Sequence, residues 1–274
     1  MFKDVFEEQI FFITTRITIS DSITKEKSIG TGFIVKVPIV TDPAISVILL
    51  ISNKHVLKNS HNAIEFSMHK RNVTDRNKPI IEEMIKFSIK DFPELYYEHP
   101  DQDVDLACIN ISIIDSKNAF YKHIYLEMFS TCDEAELLPG NEVWFIGYPE
   151  NRYDVIHNLP ILRKGFIASI PHIDYNGKKQ IVIDAQVFPG SSGSPVFTNI
   201  DGKYRLVGVI SETMIKNQKL QEIAAISDSQ VQQIIGLGLI QKSTLVKELI
   251  DNVISERTDS ISKIVNNLTH ASTL

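Results

Sequence analysis

The chain has 274 residues, 43% of them hydrophobic and 23% charged, and 28 Lys and Arg against 34 Asp and Glu leave a net charge of −6. That apolar share can build a sizeable core and excludes the low-hydrophobicity, high-charge composition of a disordered chain. The acidic balance offers neither a basic footprint for nucleic acid nor a broad cationic face for a membrane, so neither partner is expected.

The N-terminus, Met-Phe-Lys-Asp-Val-Phe-Glu-Glu, is mixed in charge and has no apolar run ending in small residues. No secretory signal is read there, and a cytoplasmic location is expected. The longest apolar stretches, such as Val47 to Ile51, fall far short of the roughly 18 residues of a membrane span. Short β-branched runs bounded by Gly, Pro, Asn or Asp then follow in order: Ile10 to Ile19, Gly32 to Val37, Ile45 to Ser52, Val143 to Tyr148, Ile161 to Ile170, Gln180 to Phe188 and Tyr204 to Ile210. They predict an all-β chain, a sandwich or a pair of barrels, rather than a doubly wound α/β sheet. Two cysteines, Cys108 and Cys132, are too few for a disulfide framework and are expected to be reduced core residues. No cluster of His, Cys and carboxylates has zinc-ligand spacing, and no metal is expected. From Ser229 onward the apolar positions take helical spacing, at Leu245, Leu249 and Val253, then Ile261, Ile264, Val265 and Leu268, with a polar break from Ser255 to Ser260. Ser243 or Thr244 is a candidate cap. The expected organisation is a β domain over residues 1–236 and a helical extension over 237–274, packed on the barrels or offered to a regulatory protein partner.

The chemistry concentrates in Phe188-Pro189-Gly190-Ser191-Ser192-Gly193-Ser194-Pro195. Glycines on both sides of a serine, followed by proline, make a tight turn at the mouth of a strand. With Ser192 as nucleophile, the amides of Gly190 and Ser192 can both face the oxygen of a tetrahedral intermediate. Taken alone the segment reads equally well as a Gly/Ser hairpin turn. A serine hydroxyl needs a base to take its proton. Of the eight histidines only His55 closely follows a strongly apolar strand, Leu49-Leu50-Ile51-Ser52-Asn53-Lys54-His55, and the others are expected on the solvated surface. The carboxylate that orients the imidazole is sought at Asp105, in Asp103-Val104-Asp105-Leu106-Ala107; Asp103 competes, and Asp105 is preferred because the apolar run starts directly after it.

The order His55, Asp105, Ser192 resembles that of the trypsin-like (chymotrypsin-fold) serine peptidases. Gly30-Thr31-Gly32-Phe33-Ile34-Val35 resembles their first-barrel glycine strand, Ser52-Asn53-Lys54-His55-Val56 their histidine motif, Asp105-Leu106-Ala107 their aspartate motif, and Gly190 to Pro195 their serine motif. The Htr/Deg branch is the most similar, through Gly140-Asn141-Glu142 to Gly147-Tyr148-Pro149, Lys164-Gly165-Phe166-Ile167, Ile183-Asp184-Ala185 and Ile223-Ala224-Ala225-Ile226, though no PDZ domain is expected after them.

The resemblance implies two six-stranded-type antiparallel β-barrels with the cleft between them, a serine endopeptidase working through an acyl-enzyme, and no cofactor. It implies that a peptide substrate adds as a strand along Ile210-Ser211-Glu212-Thr213. Gln186 and Thr213 would line the primary pocket, with preference for a small or medium uncharged side chain. Ser191 stands where digestive enzymes of the family keep an aspartate, so activation by an inserted N-terminus is not expected. The alternative is a silent scaffold that retains the cleft as a peptide- or protein-binding module.

Overall fold

The computed structural model describes residues 3, 5–21, 24, 26–39, 42–57, 62–114, 117–219 and 230–256. A helical turn, α1 (Phe6–Gln9), leads through a 3-10 turn over Ile10–Phe12 into β1 (Thr14–Ser20). The first sheet continues with β2 (Lys27–Ile39), β3 (Asp42–Ser52), β4 (Ala63–Arg71), β5 (Pro79–Lys90), β6 (Tyr96–Glu98), β7 (Ala107–Asn110) and β8 (Ala119–Phe120), with a single helical turn, α2 (Lys54–Leu57), after β3. Its order is β5-β4-β1-β2-β3-β7-β6, with β8 beside β4. The second half holds β9 (Glu142–Gly147), β10 (Ile161–Ile167), β11 (Gln180–Asp184), β12 (Pro195–Ile200), β13 (Lys203–Lys219) and β14 (Gln230–Lys242), which close into a six-stranded barrel, β10-β11-β14-β13-β12-β9. This is the mostly β architecture of a chymotrypsin-like two-barrel fold.

The tail departs from the expected boundary. Residues 237–242 are not helical; they are the end of β14, paired with β11 from Gln180↔Gln241 to Asp184↔Leu237. Around Ile234-Ile235-Gly236-Leu237-Gly238-Leu239-Ile240 an apolar run fits either period, and the β11 partner that decides it lies some 55 residues upstream. The helix, α3, covers residues 243–256. The Ser243 hydroxyl does not cap it but donates to the Ser130 carbonyl at 2.6 Å. Leu245, Val246, Leu249, Ile250 and Val253 are buried in one cluster with Ile10, Phe33, Leu49 and Ile51 of the first half and Ile146, Phe197 and Val209 of the second. The stripe at 245–253 is therefore covered by the chain's own core and is not free for a partner. The polar break at 257–260, the positions at 261–268 and the segment Ile223 to Ile226 lie outside the described residues.

Other details refine the expectations. Ile10 to Phe12 precede the strand, because the 3-10 turn tucks Ile10 and Phe12 inward. Residues 185–188 leave β11 and run toward the serine turn. Both cysteines are free and buried. Among the described residues no helix is long and apolar enough to cross a membrane, and no group of three or more His, Cys, Asp or Glu could hold a metal ion.

Two histidines expected at the surface are buried, His69 at 4% exposure and His99 at 2%. Their rings find local partners: His69 Nε2 lies 2.8 Å from the His157 carbonyl, and His99 Nδ1 accepts from the Asp101 amide at 3.1 Å. Burial lowers the pKa of both, and pushes that of His123, which also faces Lys36 and Lys122, down to about 4.

Two outcomes follow. Leu249→Ala removes a fully buried side chain and is expected to cost about 2–5 kcal/mol, read as a lower urea midpoint at unchanged m-value. The three histidines bind protons less readily folded than unfolded, so below their ordinary value near 6.5 the unfolded state takes up more protons. Stability should therefore fall as pH drops from 6.5 toward 4, and calorimetry should show a shallower loss of Tm for His123→Phe than for the wild type.

Candidate active site

His55 and Asp105 are positioned by the first sheet. The apolar strand β3 ends at Ser52, and the chain turns at once into α2, whose Val56 and Leu57 are buried and hold the turn rigid. β7 pairs with the end of β3 through Ser52↔Ala107 and Ile51↔Cys108, which sets residue 105 beside residues 53–55. Asp105 Oδ2 lies 2.6 Å from His55 Nδ1, while Oδ1 accepts from the His55 amide at 3.0 Å. The Asn53 side chain donates to the Asp105 carbonyl at 2.8 Å. A carboxylate gripping both the ring and the backbone of one histidine selects the tautomer with hydrogen on Nδ1, leaving Nε2 as an acceptor. The His55 side chain is half exposed, so that far nitrogen can meet a ligand. Asp103, the competing carboxylate, is exposed, and its amide donates to Asp101 instead.

Ser192 comes from the second half, on the turn between residues 189 and 194. Gly190 and Gly193 have φ of +87° and +84°, values that a side chain disfavours. A Cβ on Gly193 would also collide with the Thr31 carbonyl and the Ser52 hydroxyl, and one on Gly190 would sit 2.5 Å from the Tyr148 carbonyl. Ser191 donates to the Phe188 carbonyl, Gly193 to that of Ile210 and Ser194 to that of Ser191, each at 3.0 Å. Among the described residues the amides of Gly190 and Ser192 have no protein acceptor. Two unpaired amides on a glycine-shaped turn form a ready anion cradle.

Thr31, fully buried on β2, joins the two halves. Its amide donates to the Ser192 carbonyl at 3.0 Å, its hydroxyl donates to the Gly190 carbonyl at 2.9 Å, and the same hydroxyl accepts from the Tyr148 amide at 3.2 Å. Its carbonyl takes the Ser52 hydroxyl at 2.6 Å. The serine turn is thus fastened to the strand ends that carry His55. A model of one protein family, the trypsin-like peptidase domain, matches residues 30–209, more than half of the chain. The chain belongs to this family. No curated protein matches it.

The other residues expected in this trypsin-like peptidase domain fall into two groups. Ser211, Glu212 and Thr213 lie on β13 beyond its pairing with β12, which ends at Pro195↔Val209, so the edge that faced β12 is open there. Ile210 does not join them: its amide donates to the Ser194 carbonyl at 2.9 Å and its carbonyl accepts from Gly193, so the serine turn occupies the backbone groups a substrate would use. Gln186 is exposed, and Thr213 Oγ1 donates to the Val187 carbonyl at 3.0 Å.

Several contributors escaped the sequence. Arg16 reaches from β1 to Asn151 Oδ1 at 2.5 Å and stacks 5.5 Å over the Tyr153 ring. That loop in turn braces the serine turn, the Glu150 amide donating to the Pro189 carbonyl at 2.6 Å. Glu150 and Asn151 both adopt positive φ, 48° and 58°. Thr31 carried a signal in its flanking glycines, since a Cβ on Gly30 would strike Val56 and one on Gly32 would strike Ile17. Arg16 carried none.

Thr31→Val keeps the shape but leaves the Gly190 carbonyl and the Tyr148 amide unpaired. A loss of about 1–3 kcal/mol is expected in urea unfolding, with faster hydrogen exchange at the Tyr148 amide and an unchanged far-UV spectrum.

Proposed function

We propose that this protein is a serine endopeptidase. The observation that carries the reading is the double grip of Asp105 on His55, through the ring at 2.6 Å and the amide at 3.0 Å. This arrangement suits a general base whose free nitrogen faces outward. Ser192 Oγ attacks the peptide carbonyl and His55 Nε2 takes its proton. Asp105 steadies the imidazolium without accepting that proton. The oxygen that gains charge is received by the amides of Gly190 and Ser192, in the way that makes such donors the largest single contribution in many acyl transfers. The protonated His55 then hands its proton to the leaving amine, and water activated by the same ring releases the acyl group.

The substrate pairs as an extended strand with the open edge at Ser211 to Thr213, where main-chain bonds supply affinity and side-chain pockets supply choice. Within the family, the segments Lys164-Gly165-Phe166-Ile167 and Ile183-Asp184-Ala185 support kinship with the Htr/Deg branch. No charged N-terminus is needed to order the serine turn, because Ser191 is buried there without a charge.

A fluorophosphonate probe should label the full-length protein covalently, and both Ser192→Ala and His55→Ala should abolish the label. Asp105→Asn should lower kcat by about 10⁴-fold, as loss of the orienting carboxylate does in a triad of this kind. Folded wild-type protein that takes no label would instead identify a silent scaffold.

A further inference from the structure

We infer that Arg163 makes this site selective for an acidic side chain, Glu or Asp, at the substrate residue preceding the scissile bond. The inference rests on the peptidase reading above and adds the substrate class to it.

β10 runs directly beneath the segment that leads into the serine turn. A Cβ on Gly165 would lie 2.6 Å from the Ala185 Cβ and 2.6 Å from the Asp184 carbonyl, and two residues earlier the Arg163 guanidinium lies 4.9 Å from the centre of the Phe188 ring. Arg163 pairs across the sheet with Phe145, so the two side chains share a face, and its guanidinium lies 5.4 Å from that ring. Phe145 belongs to the core of the closed barrel together with Val187. The cation therefore points inward, under the wall formed by residues 186–188. Phe188 is two residues before Gly190, and two trans peptides place their Cα atoms within about 7.6 Å of each other. A side chain of the length of Glu, anchored where its carbonyl meets Ser192, is matched to that reach.

Among the described residues no carboxylate neutralises the guanidinium. Among the described residues the Arg163 side chain makes no ion pair and no hydrogen bond, and its Nη1 is buried without a partner. Burial alone lowers its pKa, with no neighbouring carboxylate to offset it. A buried donor left unpaired is destabilising, more so when charged, and such groups are rare in native structures. A carboxylate supplies what is missing, because the planar fork of arginine donates to both of its oxygens in parallel. Aromatic rings on Phe145 and Phe188 exclude water from that contact and would strengthen it. In this proposal an acidic side chain replaces the small or medium uncharged one expected from Gln186 and Thr213. Gln186 is exposed and Thr213 bonds the Val187 carbonyl, whereas the charge beside Phe188 comes from β10, a strand that the sequence does not connect to residues 186–188.

The test uses the purified full-length chain and fluorogenic tetrapeptides that differ only at the residue before the cleaved bond: Glu, Asp, Gln, Ala or Lys. Wild type should cleave the Glu peptide at least about tenfold faster in kcat/KM than the isosteric Gln peptide. In Arg163→Gln that ratio should drop to about one, and in Arg163→Lys it should be intermediate, because an ammonium keeps the charge but not the fork. A wild-type protein that reacts with the fluorophosphonate probe yet cleaves Glu and Gln peptides equally would overturn this inference and leave the peptidase reading intact. The same holds if the Glu preference survives in Arg163→Gln. Failure to react with the probe would remove the peptidase reading itself. Should Arg163→Gln not fold, the wild-type Glu-to-Gln ratio still decides, a ratio of one marking Arg163 as a packing residue held between two rings.

Discussion

Everything at the candidate site depends on one buried threonine. Thr31 has a single amide, a single hydroxyl and a single carbonyl, and each is committed across the boundary between the two halves or to Ser52 at the end of the strand that leads to His55. Apolar packing between the two halves is non-directional and tolerates shifts of an ångström, and an ångström is enough to separate a base from its nucleophile. A lattice of short hydrogen bonds in a fully buried place removes that freedom, because any shift would leave several polar groups unpaired out of reach of water.

The surrounding contacts extend the same constraint. Arg16 and His69, both from the first sheet, hold the loop at 151–157 through Asn151 and the His157 carbonyl. That loop holds Pro189 through Glu150. α3 packs into a cluster drawn from both halves, and Glu248 on it pairs with Lys179 beside β11 at 2.7 Å. The helix thus acts as a clasp over the seam. Its apolar stripe, which by itself reads equally well as a docking surface, is already satisfied inside the molecule.

In the proposed reading the site's electrostatics have three tasks. The Asp105 carboxylate orients the His55 imidazole, two amides on a glycine turn would receive a negative oxygen, and the Arg163 guanidinium beside the Phe188 ring would receive a negative side chain. The last two are both cationic in character, one from backbone dipoles and one from a full charge. They are separated by the segment Gln186 to Gly190, which therefore decides how the reacting carbonyl and the side chain beside it are presented.

Much of this was legible in the residues alone. The β-branched runs at Gly32 to Val37, Ile45 to Ser52 and Tyr204 to Ile210 announced strands, since their period and composition are properties of the local chain. The Gly190 to Pro195 turn was equally local, because the positive φ of +87° and +84° found at 190 and 193 favours glycine. The linear order of His55, Asp105 and Ser192 proposed a site but carried no distance. Tertiary structure alone decided that residues 237–242 close a barrel, since an apolar run with two glycines takes its conformation from the strand beside it. It alone decided that His69 and His99 are buried, that Ile210 is used up by the serine turn, and that the Arg163 guanidinium lies between the Phe145 and Phe188 rings with no counterion among the described residues. In each case the deciding neighbour is remote in the chain, and burial and pairing belong to the neighbour as much as to the residue.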